Sequence, residues 1–262
     1  MNSVNQTLYI PLYAKFLVSR RGLFLKDAMA ESIWERVSFP LGRRSRSKWL
    51  AYYLGIRAAV FDDWLRARLT EDSETVVLHL GCGLDNRIGR VASNGHLWFD
   101  VDLPDVIEER KKYYSEQDGY RMLGADLSRV DWISELPLGR RVAVVMEGVG
   151  MYLSPSDLKA LFAALRSHFE DVSLLIDCYS AFAARMSKLK NPIREVGVTQ
   201  VWGVDDPHLL EVEGLAFSQM KNMTPPHFVE ELEGTERRIF SRLYAGKTAQ
   251  KLYRLYEFKS VK

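Results

Sequence analysis

The chain has 262 residues, 47% of them hydrophobic, and its 36 Lys and Arg residues nearly balance 34 Asp and Glu. This composition excludes an intrinsically disordered chain, and a net charge of +2 gives no broad attraction for nucleic acid. Two cysteines are too few for a secreted disulfide framework, and no apolar run reaches the roughly 20 residues of a membrane span. We therefore expect a soluble cytoplasmic protein without nucleic-acid or membrane partners. The scattered histidines predict no metal site, and the oligomeric state stays open.

Helices are predicted for residues 1–72, because apolar residues recur three and four positions apart in segments 31–37 and 48–69. Five strands are then predicted, at residues 75–80, 96–101, 120–124, 141–146 and 172–178. Helices at 103–117 and 154–169, each with a proline in its first turn, separate strands of this series. Such alternation implies an open parallel sheet with helices on both faces.

The last part of the chain departs from this alternation. A helix at 181–189 and a loop rich in Pro and Gly come first, and two strands at 215–220 and 252–259 follow, separated by a helix between Pro225 and Ala249. The expected fold is α/β: a Rossmann-like, doubly wound, mostly parallel seven-stranded sheet with an antiparallel edge strand. A single domain is predicted, comprising a helical N-terminal cap (1–72), a cofactor-binding core (73–178), a helical lid insertion after strand five (179–210) and a segment completing the sheet (211–262).

The most informative segment is V-V-L-H-L-G-C-G-L-D-N-R at residues 76–87. A buried strand runs into Gly81 and Gly83 and then into a helix, which is typical of a nucleotide-cofactor turn. A dinucleotide fingerprint needs a third glycine where Asn86 stands. S-adenosylmethionine has no phosphate and does not need that glycine, so the turn favours S-adenosylmethionine over NAD.

Acidic side chains follow the next three strands. Asp100 and Asp102 end strand two about twenty residues after the glycines, where one carboxylate can accept both hydroxyls of a ribose. Asp126 and Leu127 follow strand three, where they can bind an adenine amino group and cover the ring. Glu147 ends the very apolar strand four, so it needs a partner, either an amino group of the ligand or an arginine of the N-terminal cap.

Four motifs, at residues 80–87, 99–104, 124–127 and 147–153, resemble the leucine carboxyl methyltransferase family in type and order. That family belongs to the class I S-adenosylmethionine-dependent methyltransferases and includes bacterial O-methyltransferases of polyketide pathways. The resemblance implies that Asp102 binds the ribose, Glu147 faces the methionine moiety and Arg57 binds the cofactor carboxylate. It assigns eight residues to the cofactor: Arg57, Gly81, Gly83, Asp85, Asp102, Asp126, Leu127 and Glu147.

The predicted activity is O-methylation of a small metabolite, with S-adenosylhomocysteine as the second product. A carboxylate acceptor is already ionised at neutral pH and needs no base. A hydroxyl acceptor does, and neither His168 nor His208 lies in a recognisable site, which favours the carboxylate. No catalytic residue is assigned, although Tyr152 and Tyr179 are candidates. The acceptor pocket is predicted to contain Tyr13, Arg20, Arg21, Tyr152, Tyr179, Arg185 and Trp202.

Two other functions stay open from the sequence. One is the same chemistry on the C-terminal carboxylate of a protein. The other belongs to a different class: a cofactor-binding protein without transfer activity, or a nicotinamide-dependent oxidoreductase.

Overall fold

A computed structural model of the protein describes residues 7–37, 39–91, 95–138, 140–187 and 200–261. This part of the chain contains seven strands: β1 Val76–Leu80, β2 Trp98–Asp102, β3 Tyr120–Gly124, β4 Arg141–Met146, β5 Asp171–Tyr179, β6 Leu215–Lys221 and β7 Tyr253–Ser260. They form one sheet in the order β3-β2-β1-β4-β5-β7-β6. Strands β1 to β5 pair in parallel, and β7 pairs antiparallel with both β5 and β6. The predicted fold class is confirmed, with β7 as the antiparallel strand and β6 outermost.

The helices of the described residues are α1 Tyr9–Arg20, α2 Ala28–Arg36, α3 Lys48–Glu71, α4 Arg87–Val91, α5 Pro104–Arg110, α6 Pro155–His168, α7 Ala181–Ser187, α8 Pro226–Glu230, α9 Gly234–Leu243 and α10 Lys247–Leu252. Helix α3 is buried along most of its length because it contacts α1 on one side and α4 and β4 on the other. Within the described ranges, no helix is long and apolar enough to cross a membrane.

Three predicted helices differ in extent from those observed. Helix α5 ends at Arg110, after which hydrogen bonds that span three residues, from Lys112 to Glu109 and from Tyr113 to Arg110, interrupt the helical pattern. The helix predicted between Pro225 and Ala249 is divided into α8, α9 and α10. Gly234, the first residue of α9, has a φ of 49°. Residues 188 and 189 of the predicted 181–189 helix, and residues 190–199 of the predicted lid, lie outside the described residues.

The sheet order creates a crevice where the chain reverses direction across the sheet. From the central strand β1 the chain moves to β2 and β3 on one side, and then returns to β4 on the other. The loops after β1 and β4 therefore diverge at the carboxyl ends of these strands, which is where open α/β sheets bind ligands. Both strands are almost wholly buried, consistent with their continuous apolar sequences.

Candidate functional site

A cavity of about 800 Å³ opens at this crevice. Its floor is formed by the loops that follow the parallel strands, and residues of α1 and α3 cover it. Ten of the residues predicted from the sequence line it: Arg57, Gly81, Gly83, Asp85, Asp102, Asp126, Leu127, Glu147, Tyr152 and Tyr179. The eight residues assigned to the cofactor are thus brought together around one space.

The turn after β1 depends on its two glycines. Gly81 has a φ of 70°, and a Cβ atom added there would lie 2.8 Å from Cβ of Val149 in the loop after β4. Gly83 has a φ of 51°, and its added Cβ would lie 3.0 Å from the Leu8 side chain. The loop after β4 and the N-terminal cap can therefore approach the turn closely because Gly81 and Gly83 have no side chains.

We predict that Gly81→Ala destabilises the protein more than Gly22→Ala does. Gly22 has a nearly equal φ of 67°, but nothing lies within 4 Å of its added Cβ. Gly22→Ala should therefore show only the cost of a left-handed residue, about 1–2 kcal/mol, whereas Gly81→Ala should add about 1–3 kcal/mol of overpacking. Urea unfolding of both variants measures the difference, and equal midpoints would contradict the close contact with Val149.

The two acids at the end of β2 have different environments. Asp100 is fully buried and accepts hydrogen bonds from Trp98 and Tyr120, while Arg110 donates a very short one. Burial alone would raise the pKa of Asp100, but Arg110 and a hydrogen bond with His79 outweigh it and lower the pKa to about 2. The Asp100 carboxylate thus bonds to core side chains and does not line the cavity.

Asp102 lines the cavity, and within the described ranges no cationic side chain bonds to it. Its Oδ2 accepts the Gly83 N–H at 2.8 Å, and its Oδ1 accepts the Leu103 N–H at 2.8 Å. Burial raises its pKa to about 6, although these two backbone groups oppose the shift. Each carboxylate oxygen has about two acceptor positions, so each can accept one further hydrogen bond from a ligand.

Glu147 sits at the centre of a buried ionic network. Arg87 donates a very short hydrogen bond to its Oε2, and Arg57 Nε lies 3.1 Å from Oε1. Burial raises the pKa of Glu147, but Lys15, Arg57 and Arg87 outweigh burial and lower it. Glu147 lines the cavity and pairs with Arg57 of the N-terminal cap, as one of the two interpretations from the sequence expected, and its contact with a ligand amino group stays a prediction.

Arg57 has little donor capacity left for a ligand. Besides its contacts with Glu147, its Nη1 donates to Asp177 Oδ2 and to the Tyr253 hydroxyl, both at 3.0 Å.

Lys15 was missed by the sequence analysis, yet it is 3% exposed and lines the same wall. Its Nζ lies 3.4 Å from Asp85 and 3.6 Å from Glu147, longer than usual hydrogen bonds. The ammonium group can therefore donate to a ligand in the cavity.

Asp126 and Leu127 form the opposite end of the cavity, after β3. Leu127 is buried, whereas Asp126 is exposed and accepts the Ser128 N–H and hydroxyl, both at Oδ1. This loop offers an apolar surface and a carboxylate side by side, as the sequence predicted.

Five residues predicted for the acceptor pocket lie off the cavity wall: Tyr13, Arg20, Arg21, Arg185 and Trp202. The ring of Tyr13 packs 5.0 Å from that of Trp34, between α1 and α2. The two arginines end α1 at the surface, where Arg20 pairs with glutamates of α2 and Arg21 with Glu236.

The other two are surface residues beyond β5. Arg185 is exposed and its Nε donates to the Ala181 carbonyl within its own helix. Trp202 is 38% exposed and its backbone N–H donates to the Met151 carbonyl. Of the predicted acceptor residues, Tyr152 and Tyr179 are therefore the two that reach the cavity.

Two tyrosines that the sequence analysis did not single out, Tyr53 and Tyr253, also line the cavity. Tyr53 lies one helical turn before Arg57 on α3, so its spacing from that residue was an available signal. Lys15 was recognisable as a lone cation within the apolar run 8–18. For Tyr253 the signal is tertiary, because it starts a strand at the other end of the chain.

Comparison with known proteins agrees with this geometry. Residues 3–166 match the family described as leucine carboxyl methyltransferase. The chain is 33% identical to the tetracenomycin polyketide synthesis O-methyltransferase TcmP of Streptomyces glaucescens, over 91% of this chain and 90% of that protein. It is 28% identical to the S-adenosyl-L-methionine-dependent methyltransferase dpfgK of Gibberella zeae, over 67% of this chain and 65% of that one.

A similar fold occurs in the magnesium protoporphyrin IX methyltransferase of Synechocystis PCC 6803, solved with bound S-adenosylhomocysteine. The TM-score is 0.51 at 13% identity, over 89% of this chain and 95% of that one. The chain belongs to the leucine carboxyl methyltransferase family and is an S-adenosylmethionine-dependent methyltransferase.

Proposed function

We propose that this protein transfers a methyl group from S-adenosylmethionine to a carboxylate of a small molecule. The observation that carries the proposal is that no histidine in the described cavity lining is positioned as a free base. His79 is the histidine in that lining, and its Nδ1 lies 3.0 Å from Asp100 while its Nε2 lies 3.7 Å from Asp85. His168 and His208 do not line the cavity. His168 bonds to the Leu136 carbonyl, and His208 bonds to Glu211.

The cavity residues fit the donor at three points. The two oxygens of Asp102 suit the two ribose hydroxyls, since each already accepts one backbone N–H and has room for one more. Lys15 suits the cofactor carboxylate, with Arg57 behind it as a second positive charge. Asp126 and Leu127 suit the amino edge and the face of adenine.

When bound, S-adenosylmethionine supplies an electrophilic methyl group on a positively charged sulfur. The chain's own contribution is to hold the two reactants in line and to exclude water, which can account for several kcal/mol of the barrier. Asn86 stands where a dinucleotide-binding turn has its third glycine, which disfavours a pyrophosphate. Residues of α1 cover the space, which limits the size of an acceptor and favours a small molecule.

The pKa of Asp102 predicts a pH dependence of cofactor affinity. Ribose hydroxyls donate to the ionised carboxylate of Asp102. In the protein without ligand, this carboxylate takes up a proton below about pH 6. Affinity for S-adenosylhomocysteine should therefore fall, approaching tenfold per pH unit, as the pH drops below about 6. The raised pKa also makes this group's contribution to folding largest below about pH 4, and that contribution is lost as the pH rises through about 6.

Calorimetric titrations between about pH 5 and pH 8 measure this dependence. The matched variant Asp102→Asn removes the titrating group and should flatten the profile. A variant with the same slope as wild type would show that another group is responsible.

Transfer of labelled methyl from S-adenosylmethionine into a metabolite extract tests the proposed function. We expect label in small molecules that is released by mild base, because methyl esters are base-labile. Base-stable label would indicate ether or amine methylation and contradict the carboxylate acceptor. Label found in protein would contradict the small-molecule acceptor.

A further inference from the structure

Four tyrosine side chains from four different elements meet at one end of the cavity. They are Tyr53 of α3, Tyr152 of the 3-10 turn after β4, Tyr179 at the end of β5 and Tyr253 at the start of β7, and together they form the tyrosine chamber. The ring centroids of Tyr179 and Tyr253 are 5.0 Å apart at 72°, and those of Tyr53 and Tyr253 are 6.4 Å apart at 84°. These are edge-to-face arrangements, which present both ring faces and ring edges.

The fold itself dictates this meeting. Tyr179 and Tyr253 are direct partners in the antiparallel pairing of β5 with β7, so their side chains stand together on one face of the sheet. Tyr53 lies one helical turn from Arg57, whose guanidinium donates to the Tyr253 hydroxyl. The added antiparallel strand thus extends the cavity with an aromatic wall.

The hydroxyl groups of three tyrosines of the chamber are not available as bases. Burial raises the pKa of Tyr53, Tyr152 and Tyr253 above that of a free tyrosine. Arg57, the arginine in the described lining, is held by Glu147, Asp177 and Tyr253. Recognition of an acceptor there depends on aromatic surface.

We propose that the tyrosine chamber binds an aromatic ring that carries the carboxylate to be methylated. This inference rests on the proposed function and names the substrate class of the same site. A planar ring meets the faces and edges of the four tyrosines with the geometry that aromatic pairs prefer. A saturated acceptor of the same size would bury similar area but would lack those contacts.

Two probes with the same carbon skeleton test the proposal: 2-naphthoate and its saturated analogue decahydro-2-naphthoate. Each is titrated by calorimetry into the protein saturated with S-adenosylhomocysteine. Each aromatic pair should favour the aromatic probe by about two- to tenfold, so we expect at least about tenfold tighter binding of 2-naphthoate. Equal affinities, or no binding of 2-naphthoate, would overturn the proposal.

Variants of Tyr53 separate the ring from the hydroxyl group. Tyr53→Phe should keep most of the preference for 2-naphthoate, whereas Tyr53→Leu should reduce it by about two- to tenfold. Tyr113→Leu is the matched control, since Tyr113 lies outside the cavity and bonds to Glu109. A Tyr53→Leu variant with the wild-type preference would contradict the role of that ring.

The product distinguishes this inference from the proposed function. Labelled methyl transferred equally to both probes as base-labile ester would leave the carboxylate chemistry standing and refute the aromatic preference. A third probe, 2-naphthol, carries a hydroxyl group in place of the carboxylate. Preferential binding of 2-naphthoate, combined with label that enters only 2-naphthol as a base-stable ether, would leave the aromatic preference standing and refute the carboxylate acceptor.

Discussion

Replacing Arg87 with methionine is expected to lower the free energy of unfolding by about 3–5 kcal/mol, because the substitution leaves buried carboxylates without their shared cation. Arg87 is fully buried. Its Nε donates to Asp62 at 2.9 Å, and its Nη2 contacts both Glu147 and Asp85. Asp62 belongs to α3 of the N-terminal cap, whereas Glu147 and Asp85 belong to the core. Arg87 therefore joins the cap to the cofactor turn.

Urea unfolding measures the effect, with Arg129→Met as the control. Arg129 is 73% exposed on its side chain and lies 3.7 Å from Asp131, so its loss should cost less than about 0.5 kcal/mol. If Arg87→Met were no more destabilising than Arg129→Met, the network would not hold the cap to the core.

Lys15→Met is expected to weaken binding of S-adenosylhomocysteine by about 10- to 100-fold, since a hydrogen bond to a charged group contributes about 1.5–3 kcal/mol. Lys15 reaches only the amino-acid end of the ligand in our assignment. Affinity for 5′-methylthioadenosine, which lacks that carboxylate, should therefore remain close to wild type. Asp102→Asn should weaken both ligands, because both carry the ribose.

Calorimetry with the two ligands measures these affinities, and Lys112→Met serves as a control because Lys112 is exposed and pairs with Glu109. Equal losses for both ligands in Lys15→Met would indicate a general disturbance of the cavity. An unchanged affinity for S-adenosylhomocysteine would assign the carboxylate to another group.

The cofactor half of the site was predictable because its residues follow buried strands. A run such as Val76–Leu80 ending at Gly81 identifies both the strand and the turn, and parallel strands bring their carboxyl ends to one edge. The choice of Asp102 over Asp100 came from the family resemblance. The structure supplies the physical reason, since the carboxylate of Asp100 is already bonded to Arg110 and His79 in the core.

The site residues contributed by the N-terminal helices and the last strand were not predictable in the same way, because their positions depend on how these elements pack on the sheet. Helical spacing places Lys15, Arg20 and Tyr13 on one segment but does not say which side meets the cavity. Only the packing of α1 on α3 turns Lys15 inward and leaves Arg20 at the surface. Tyr253 likewise joins the site through its strand pairing with Tyr179, which is distant in the chain.

The most direct test of the central claim is a calorimetric titration of the wild-type protein with S-adenosylmethionine and, separately, with NAD. The turn at Gly81 and Gly83, the carboxylates beside it and Asp102, to which we assign the ribose, together predict saturable binding of S-adenosylmethionine, which should be weaker in Asp102→Ala. NAD should give no specific binding, because Asn86 stands where a pyrophosphate-binding turn needs its third glycine. Binding of NAD without binding of S-adenosylmethionine would contradict the assignment of this cavity to a methyl donor.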